Sequence, residues 1–486
     1  MGSRVSRWLR ADPWRALLMV VAACYGIVQL VAAGPGMGLG WDEVVYLSQV
    51  DPRVPAAEFI APRARGITLI VAPVTLLTSS TDALRVYLCL LSALALYASF
   101  GAWPRPRPAA VAPVAPVAAL LFASLWPALF YGNEAMPNMW VAFGAVAAVG
   151  FFLRCLEPGG GRGRLVGLAL CVAAVAALRP PDSLWLVLPL VLAGVGKRRL
   201  GVVVAPLAGL AAGWADWIVE AYVRFGGPLA RWQAAGAANE TGLHFSLLEH
   251  ARALNGPLLC RPPAHCGAAA PSWVLWWSAI PLLVLLGLYA ARRRGHLAQA
   301  LMPALAGLSL TAPYLFLVGY AAPRFLLPAY ALLAFPIAHG ALALTEGVRG
   351  SALRRAGVCL AAAGFLAHCV LQGVTLDKVV GPRLAKREAE VEVARALEGL
   401  SVRPPCLVYG EHAVKIAYRM GCAGHTVLSW PGQSDPPAAV RGAEAAGRRV
   451  VAVDRGRSVP APFLLTWERR RLQEVRPGRW SVYLPR

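Results

Sequence analysis

Long apolar blocks alternate with short basic clusters along most of this chain. The first block spans residues 16–33, a second spans residues 85–102, and the last ends near Gln372. Blocks of this length match the hydrocarbon thickness of a bilayer, and their succession predicts about eleven transmembrane helices. The clusters between them are Arg4, Arg7, Arg10 and Arg15; Arg105 and Arg107; Arg154, Arg162 and Arg164; Lys197, Arg198 and Arg199; Arg292, Arg293 and Arg294; and Arg349, Arg354 and Arg355. The positive-inside rule assigns all of them to the cytoplasm. The N-terminus then lies inside, outer turns fall near residues 131–138, 178–183, 223–272 and 319–324, and an odd number of crossings leaves the C-terminus outside.

Two local readings fix this topology. Val31-Ala32-Ala33-Gly34 is faintly similar to a signal-peptide cleavage site. The first block is nevertheless expected to be an uncleaved anchor, since cleavage would remove the partner of the following helices. Residues 34–84 form the first outer loop. Within it, residues 66–77 are moderately apolar, number only about a dozen and include Pro73, so they predict a helix in the interface or dipping into it rather than a span.

Past Gln372 the pattern changes. Residues 377–400 read as a charged helix, and Cys406-Leu-Val-Tyr409, Arg449-Val-Val-Ala-Val453 and Trp480-Ser-Val-Tyr-Leu484 read as short strands. The expected architecture is therefore an all-α polytopic membrane module, residues 1–376, followed by a small extracytoplasmic α/β domain, residues 377–486. The Gly-rich piece 159–163 follows no strand and reads as an inner loop, not a phosphate cradle.

Composition agrees. Of 486 residues, 58% are hydrophobic and 15% charged, with a mean hydropathy of +0.55, which excludes an ordinary soluble domain. The net charge of +22 sits in the loop clusters, so it does not point to nucleic acid. Ala, Gly, Arg and Pro are abundant, as in proteins of GC-rich bacterial genomes. Six of the ten cysteines lie in or beside apolar blocks. The pairs Cys260/Cys266 and Cys406/Cys422 lie in polar segments and are disulfide candidates if those segments face an oxidising compartment. His265 lies between the first two, but the spacing matches no zinc pattern closely.

The chemistry-bearing stretch is Gly40-Trp41-Asp42-Glu43-Val44-Val45-Tyr46, just past the first block. Two adjacent carboxylates point in different directions, so one can face a cavity while the other binds a cation, an amide or an arginine. A carboxylate in a partly dry pocket can serve as a general base; a solvated helix cap is the alternative. The second outer loop offers Glu134 with Asn133 and Asn138, where Glu134 is either a second acid or a helix cap. Arg63, Arg65, Arg179 and Arg324 are outer arginines that break the charge rule. An anionic lipid phosphate would account for them, as would snorkelling to ordinary headgroups. Asp216 and Glu220 lie one turn apart on one face and either bind a cation or, as the simpler role, pair with an outer arginine.

These elements together resemble the GT-C glycosyltransferases. The resemblance is carried by the inside N-terminus, the single crossing before an outer loop that opens Asp42-Glu43-x-x-Tyr46, the half-buried segment in that loop, and the late Arg324-Phe325-Leu326-Leu327-Pro328. The nearest branch is that of the protein O-mannosyltransferases and lipid A aminoarabinose transferases. The resemblance implies a sugar on a polyprenyl phosphate as donor and a hydroxyl of an envelope glycan, lipid or protein as acceptor. It makes Asp42 the base with Glu43 in support, and Arg324 and Arg179 phosphate ligands. Beside these, Glu134 is the candidate second acid, and Tyr46, Arg63, Arg65 and Asn138 complete the candidate substrate-binding set. Pro137 and Asn138 stand where the family often has an aspartate. A divalent cation is left open as a cofactor.

The function expected is an inverting glycosyltransferase, hexosyl or pentosyl, in the bacterial cytoplasmic membrane, acting on its outer face. A transporter or lipid-linked-sugar flippase is the alternative, but it calls for ionisable groups at mid-membrane. A scaffold with an envelope-binding tail would not need so many crossings.

Overall fold

The structure is a computed structural model that describes residues 12–104, 113–159, 161–263, 266–345, 351–427, 430, 432, 435–456, 459–476 and 478–486. Arg4, Arg7, Arg10, Arg105, Arg107, His265 and Arg349 lie outside the described residues. The chain divides into two compact units. The first comprises residues 1–33, 60–66 and 88–379, and the second comprises residues 34–59, 67–87 and 380–486.

In chain order the helices begin with α1 (Pro13–Ala32), α2 (Trp41–Leu47), α3 (Gly66–Thr75), α4 (Thr81–Gly101), α5 (Val114–Ala123), α6 (Trp126–Tyr131) and α7 (Pro137–Leu156). They continue with α8 (Arg162–Leu178), α9 (Pro180–Gly196), α10 (Leu200–Phe225), α11 (Pro228–Ala238), α12 (Leu247–Ala253), α13 (Pro271–Arg293) and α14 (Leu297–Phe316). A 3-10 turn (Pro323–Leu326) leads into α15 (Leu327–Thr345), followed by α16 (Ala352–Gly399), α17 (Ala413–Met420) and α18 (Ala438–Ala445).

The chain is a multi-pass membrane protein. By length and composition, seven of the described helices can cross a membrane: α1, α4, α7, α10, α13, α15 with its leading turn, and α16. The count of about eleven expected from the sequence also takes in α5, α8, α9 and α14, of 10, 17, 17 and 20 residues, which are not among these seven. Helix α3 has 10 residues and contains Pro73. At 1.5 Å per residue it is roughly 15 Å long, about half a bilayer core.

Burial separates core helices from rim helices. Within their apolar windows, α7 and α15 are 72% and 78% buried, whereas α13 and α16 are 17% and 6% buried. A helix apolar all round belongs in the centre of a bundle, and α7 and α15 take that place. Exposed Leu275, Leu282, Leu285 and Leu360 on the rim helices suit contact with lipid. The sequence Gly209-Leu-Ala-Ala-Gly213 puts two glycines on one face of α10. A Cβ at either would overlap a carbonyl oxygen of α8, that of Ala169 or Ala173. Small residues four apart thus let these two backbones touch.

The second unit is built on a five-stranded sheet ordered β2-β1-β3-β5-β4. The strands are β1 (Cys406–Gly410), β2 (Ala423–Thr426), β3 (Arg449–Asp454), β4 (Glu468–Arg471) and β5 (Ser481–Leu484). β1 pairs in parallel with β2 and β3, while β5 runs antiparallel to both β3 and β4. One face packs Val408, Val451, Val453 and Val482 against Val393 and Leu397 of α16 and Ile416 of α17; the other packs Tyr409, Ala452 and Tyr483 against Val440 of α18 and Phe463. The edge strand β4 is Glu-Arg-Arg-Arg and fully exposed, a charged edge that resists pairing with another chain. Cys406 is disulfide-bonded to Cys422, and Cys260 to Cys266 in the first unit.

Candidate active site

In the second unit the acidic motif forms α2, and its two carboxylates have different fates. Gly40 is the N-cap, with an extended backbone. Glu43 Oε2 accepts the Gly40 N–H at 2.7 Å, which satisfies a donor that the helix start leaves orphaned. The same carboxylate is gripped at both oxygens by Arg85, at 2.6 Å and 2.8 Å, and both side chains are fully buried. Arg85 Nη2 also donates to the Gly38 carbonyl at 2.8 Å. Glu43 is thereby fixed as the anchor of the loop. Asp42 is one residue earlier, about 100° round the helix, and only half-buried. Tyr46 is buried, with its ring edge-on to Phe59 at 6.1 Å.

In the first unit Arg179 sits at the corner where α8 ends and α9 begins. Its guanidinium pairs with Asp182 at 2.9 Å and donates to the Tyr314 hydroxyl at 2.7 Å; that hydroxyl in turn donates to Asp182 at 2.6 Å. Arg324 approaches the same place from the 3-10 turn. Arg179 and Arg324 lie over the same Phe325 ring, at 5.9 Å and 5.3 Å from its centroid. Two guanidinium groups predicted as phosphate ligands are thus brought together.

Arg179, Asp182 and Tyr314 form the polar end of a cavity of about 620 Å³. Apart from Asn239 and Thr241 the rest is largely apolar, with Trp185 and Leu188 from α9, Leu207 and Leu210 from α10, Trp232 from α11 and Leu317 just after α14. Such a cavity, a largely apolar trough with the Arg179 guanidinium at one end, suits a molecule with a hydrocarbon chain and an anionic head.

The other arginines expected on the outer side have partners of their own. Glu220 holds Arg65 at 2.7 Å, Arg224 at 2.9 Å and Arg231 at 2.8 Å, the structural pairing that the sequence suggested for an acid at this place. Arg231 is fully buried and also donates to the carbonyls of Ala61, Arg63 and Trp217. It fixes the loop at residues 61–63, where Arg63 is itself buried. Glu134, Asn133 and Asn138 are buried as well, and Asn133 donates to the Leu129 carbonyl at 3.2 Å. Neither amide atom of Asn138, at the start of α7, has a hydrogen-bond partner among the described residues. No group of three or more His, Cys, Asp and Glu is placed to hold a metal ion among the described residues.

Sequence reading passed over Arg85, Asp182 and Tyr314. The signals were present. Arg85 is one more outer arginine, and Asp182 lies three residues after Arg179, the spacing of one helical turn. Tyr314 carried none.

No protein-family model matches this sequence, and no curated protein matches it. Solved structures do. ArnT from Cupriavidus metallidurans bound to undecaprenyl phosphate superposes with a TM-score of 0.63 at 14% identity, covering 97% of this chain and 98% of that one. The apo oligosaccharyltransferase of Archaeoglobus fulgidus gives 0.57 at 13% identity, covering 91% of this chain and 69% of that one. AglB from the same archaeon, in complex with an inhibitory peptide and a dolichol-phosphate, gives 0.53 at 15% identity, covering 92% and 70%. These proteins are GT-C superfamily members, and the fold of the present chain is the GT-C fold.

Proposed function

We propose that this chain is an integral membrane glycosyltransferase that takes a sugar from a polyprenyl-phosphate donor and places it on a hydroxyl acceptor. The observation that carries this reading is the apolar trough ending at Arg179, with Arg324 on the same Phe325 ring. The trough suits a polyprenyl tail, and two forked cations suit the phosphate that ends it. The shared fold with ArnT supports the same assignment.

The reaction is a single displacement with inversion. Asp42 takes the proton of the acceptor hydroxyl. The acceptor oxygen forms a bond to the anomeric carbon as the bond from that carbon to the phosphate oxygen breaks. Arg179 and Arg324 stabilise the charge gathering on the departing polyprenyl phosphate. Glu43, bound at both oxygens by Arg85, positions α2. Glu134 remains the proposed second acid, Asn138 and Tyr46 remain proposed substrate contacts, and no step is routed through a cation. The orientation follows from the basic clusters: N-terminus in the cytoplasm, with α2 and the C-terminal domain on the outer face of the cytoplasmic membrane.

The test is in-vitro transfer by purified Asp42→Asn, Glu43→Gln and Arg179→Ala proteins at matched membrane levels. Asp42→Asn should fold normally and lose at least about two orders of magnitude in kcat, the usual scale for a general base. Arg179→Ala should lower kcat/KM for the lipid donor. Full transfer by a normally produced Asp42→Asn protein would remove the proposed base.

A further inference from the structure

Within the second unit, the first outer loop and the α/β domain enclose a polar cavity of about 470 Å³. Its wall carries four cations, Arg53, Arg387, Lys415 and Arg419, against two carboxylates, Asp51 and Glu390. Three of the cations have acidic partners. Arg53 meets Asp51 at 2.7 Å, Arg387 meets Asp82 at 2.8 Å, and Lys415 meets Glu390. Arg419, on α17, makes no hydrogen bond or ion pair among the described residues.

The electrostatics point the same way. Arg419 is exposed at the cavity rim, where incomplete hydration, then the positive charges of Arg387 and Arg395, hold its pKa below the ordinary guanidinium value despite Glu390 and Asp82. Burial alone would raise the Asp51 carboxyl, but hydrogen bonds from Arg53 and Tyr418 outweigh it and keep Asp51 ionised and occupied. The surplus in this cavity is therefore positive, and it resides on Arg419. Gly38 completes the wall: a Cβ there would stand 2.9 Å from the Arg387 Cβ, so glycine lets the arginine stem lie on the loop backbone. The Gly38 carbonyl is held by Arg85, the residue that holds Glu43. The cavity wall and the acidic helix thus share one anchor.

We propose that this cavity binds a phosphoryl group borne by a sugar, with Arg419 as its principal ligand and Arg387 and Arg53 as further donors. Three guanidinium groups around one cavity suit a tetrahedral group with several charged oxygens, whereas a carboxylate is satisfied by a single fork. The hydroxyls of Ser79, Thr81 and Tyr418 add sugar-compatible contacts beside them. The sugar phosphate comes either from a glycolipid headgroup or from a soluble molecule. Taking it as the anchor of the acceptor rests on the glycosyl transfer proposed above; the binding itself does not.

Calorimetric titration of the full-length protein with glucose 1-phosphate, and with glucose as control, tests the site. Saturable binding of the phosphate and not of glucose is expected, weakened about tenfold or more in Arg419→Ala and restored in part by Arg419→Lys. Arg419 makes no hydrogen bond among the described residues, so its alanine variant should elute like the parent protein, and Arg387→Ala gives a second reading. Repeating the titration in nanodiscs of phosphatidylcholine alone and with phosphatidylinositol 4-phosphate separates the sources. Competition by the phosphoinositide assigns the site to a lipid headgroup, and equal binding in both discs assigns it to a soluble sugar phosphate. Asp42→Asn should bind as the parent does, so loss of transfer and loss of binding are read apart. Absence of saturable binding, equal binding of glucose, or unchanged affinity in both arginine variants would overturn the proposal.

Discussion

Glu43 and Arg85 form a buried, two-pronged ion pair closed off from solvent. Pairs of this kind stabilise little against a well-packed apolar substitute, but removing one partner strands a charge in a dry site. Arg85→Ala is therefore expected to lower stability by roughly 3–5 kcal/mol, whereas the double variant Arg85→Met/Glu43→Leu should recover most of that loss. Chemical denaturation of the purified proteins measures both. The same logic separates the neighbouring acids: a change at Glu43 is expected to fall on folding and, on the proposed mechanism, a change at Asp42 on turnover.

His250 illustrates a second single-residue effect. It is buried in α12, and its Nε2 lies 3.2 Å from the Tyr314 carbonyl. Burial lowers its pKa to about 4 against the opposing effect of that hydrogen bond. The unfolded chain binds the proton first, near pH 6.5, so the stabilisation is complete above that value and is lost as pH falls to about 4. The loss is roughly 3 kcal/mol. A His250→Phe protein should show a flatter decline of melting temperature over that window.

Among elements, those whose signal is internal to their own residues were legible in the sequence. β1, β3 and β5 alternate or run apolar, and they appear within a residue or two of the expected places. β2, Ala-Gly-His-Thr, and β4, Glu-Arg-Arg-Arg, have no such pattern; both are edge strands whose pairing partner defines them. α16 was read as a crossing and a separate charged helix, yet it is continuous over 48 residues, with Pro382 inside it. The contact between α8 and α10 was legible too, in Gly209 and Gly213. Gly209→Leu would drive a side chain into the Ala169 carbonyl, and the expected result is a lower melting temperature and poorer membrane yield, read by fluorescence-detected size exclusion.

At the scale of the whole molecule, the rule that basic residues stay inside was the most informative feature of the sequence, and its exceptions were instructive. Arg63, Arg65, Arg179 and Arg324 stood out because a lone outer cation needs an anion. Part of the answer is internal. Arg65 is neutralised by Glu220 and Arg179 by Asp182, carboxylates drawn from 155 and 3 residues away. Only the nearer one lies at a spacing that a linear reading can use. The pairing of Arg179 with Arg324 on one ring depends on α8, α9 and the late 3-10 turn meeting in space, which spacing in the chain does not convey. The short helix that carries Asp42 and Glu43 follows from a local acidic motif at a helix exit, and the role of Asp42 stays a proposal.

The two disulfides bear on how this chain is made. On the proposed orientation both pairs are delivered across the membrane as thiols and joined only where thiol oxidation proceeds. The Cys260–Cys266 ring closes over a separation of 6 residues and Cys406–Cys422 over 16, so each can form as soon as its own segment emerges, without waiting for distant sequence. Biogenesis then draws on two cellular systems, the insertion machinery for the apolar helices and the oxidising machinery of the compartment outside. A production host that supplies the first and lacks the second would yield inserted chains with an unstapled α/β domain.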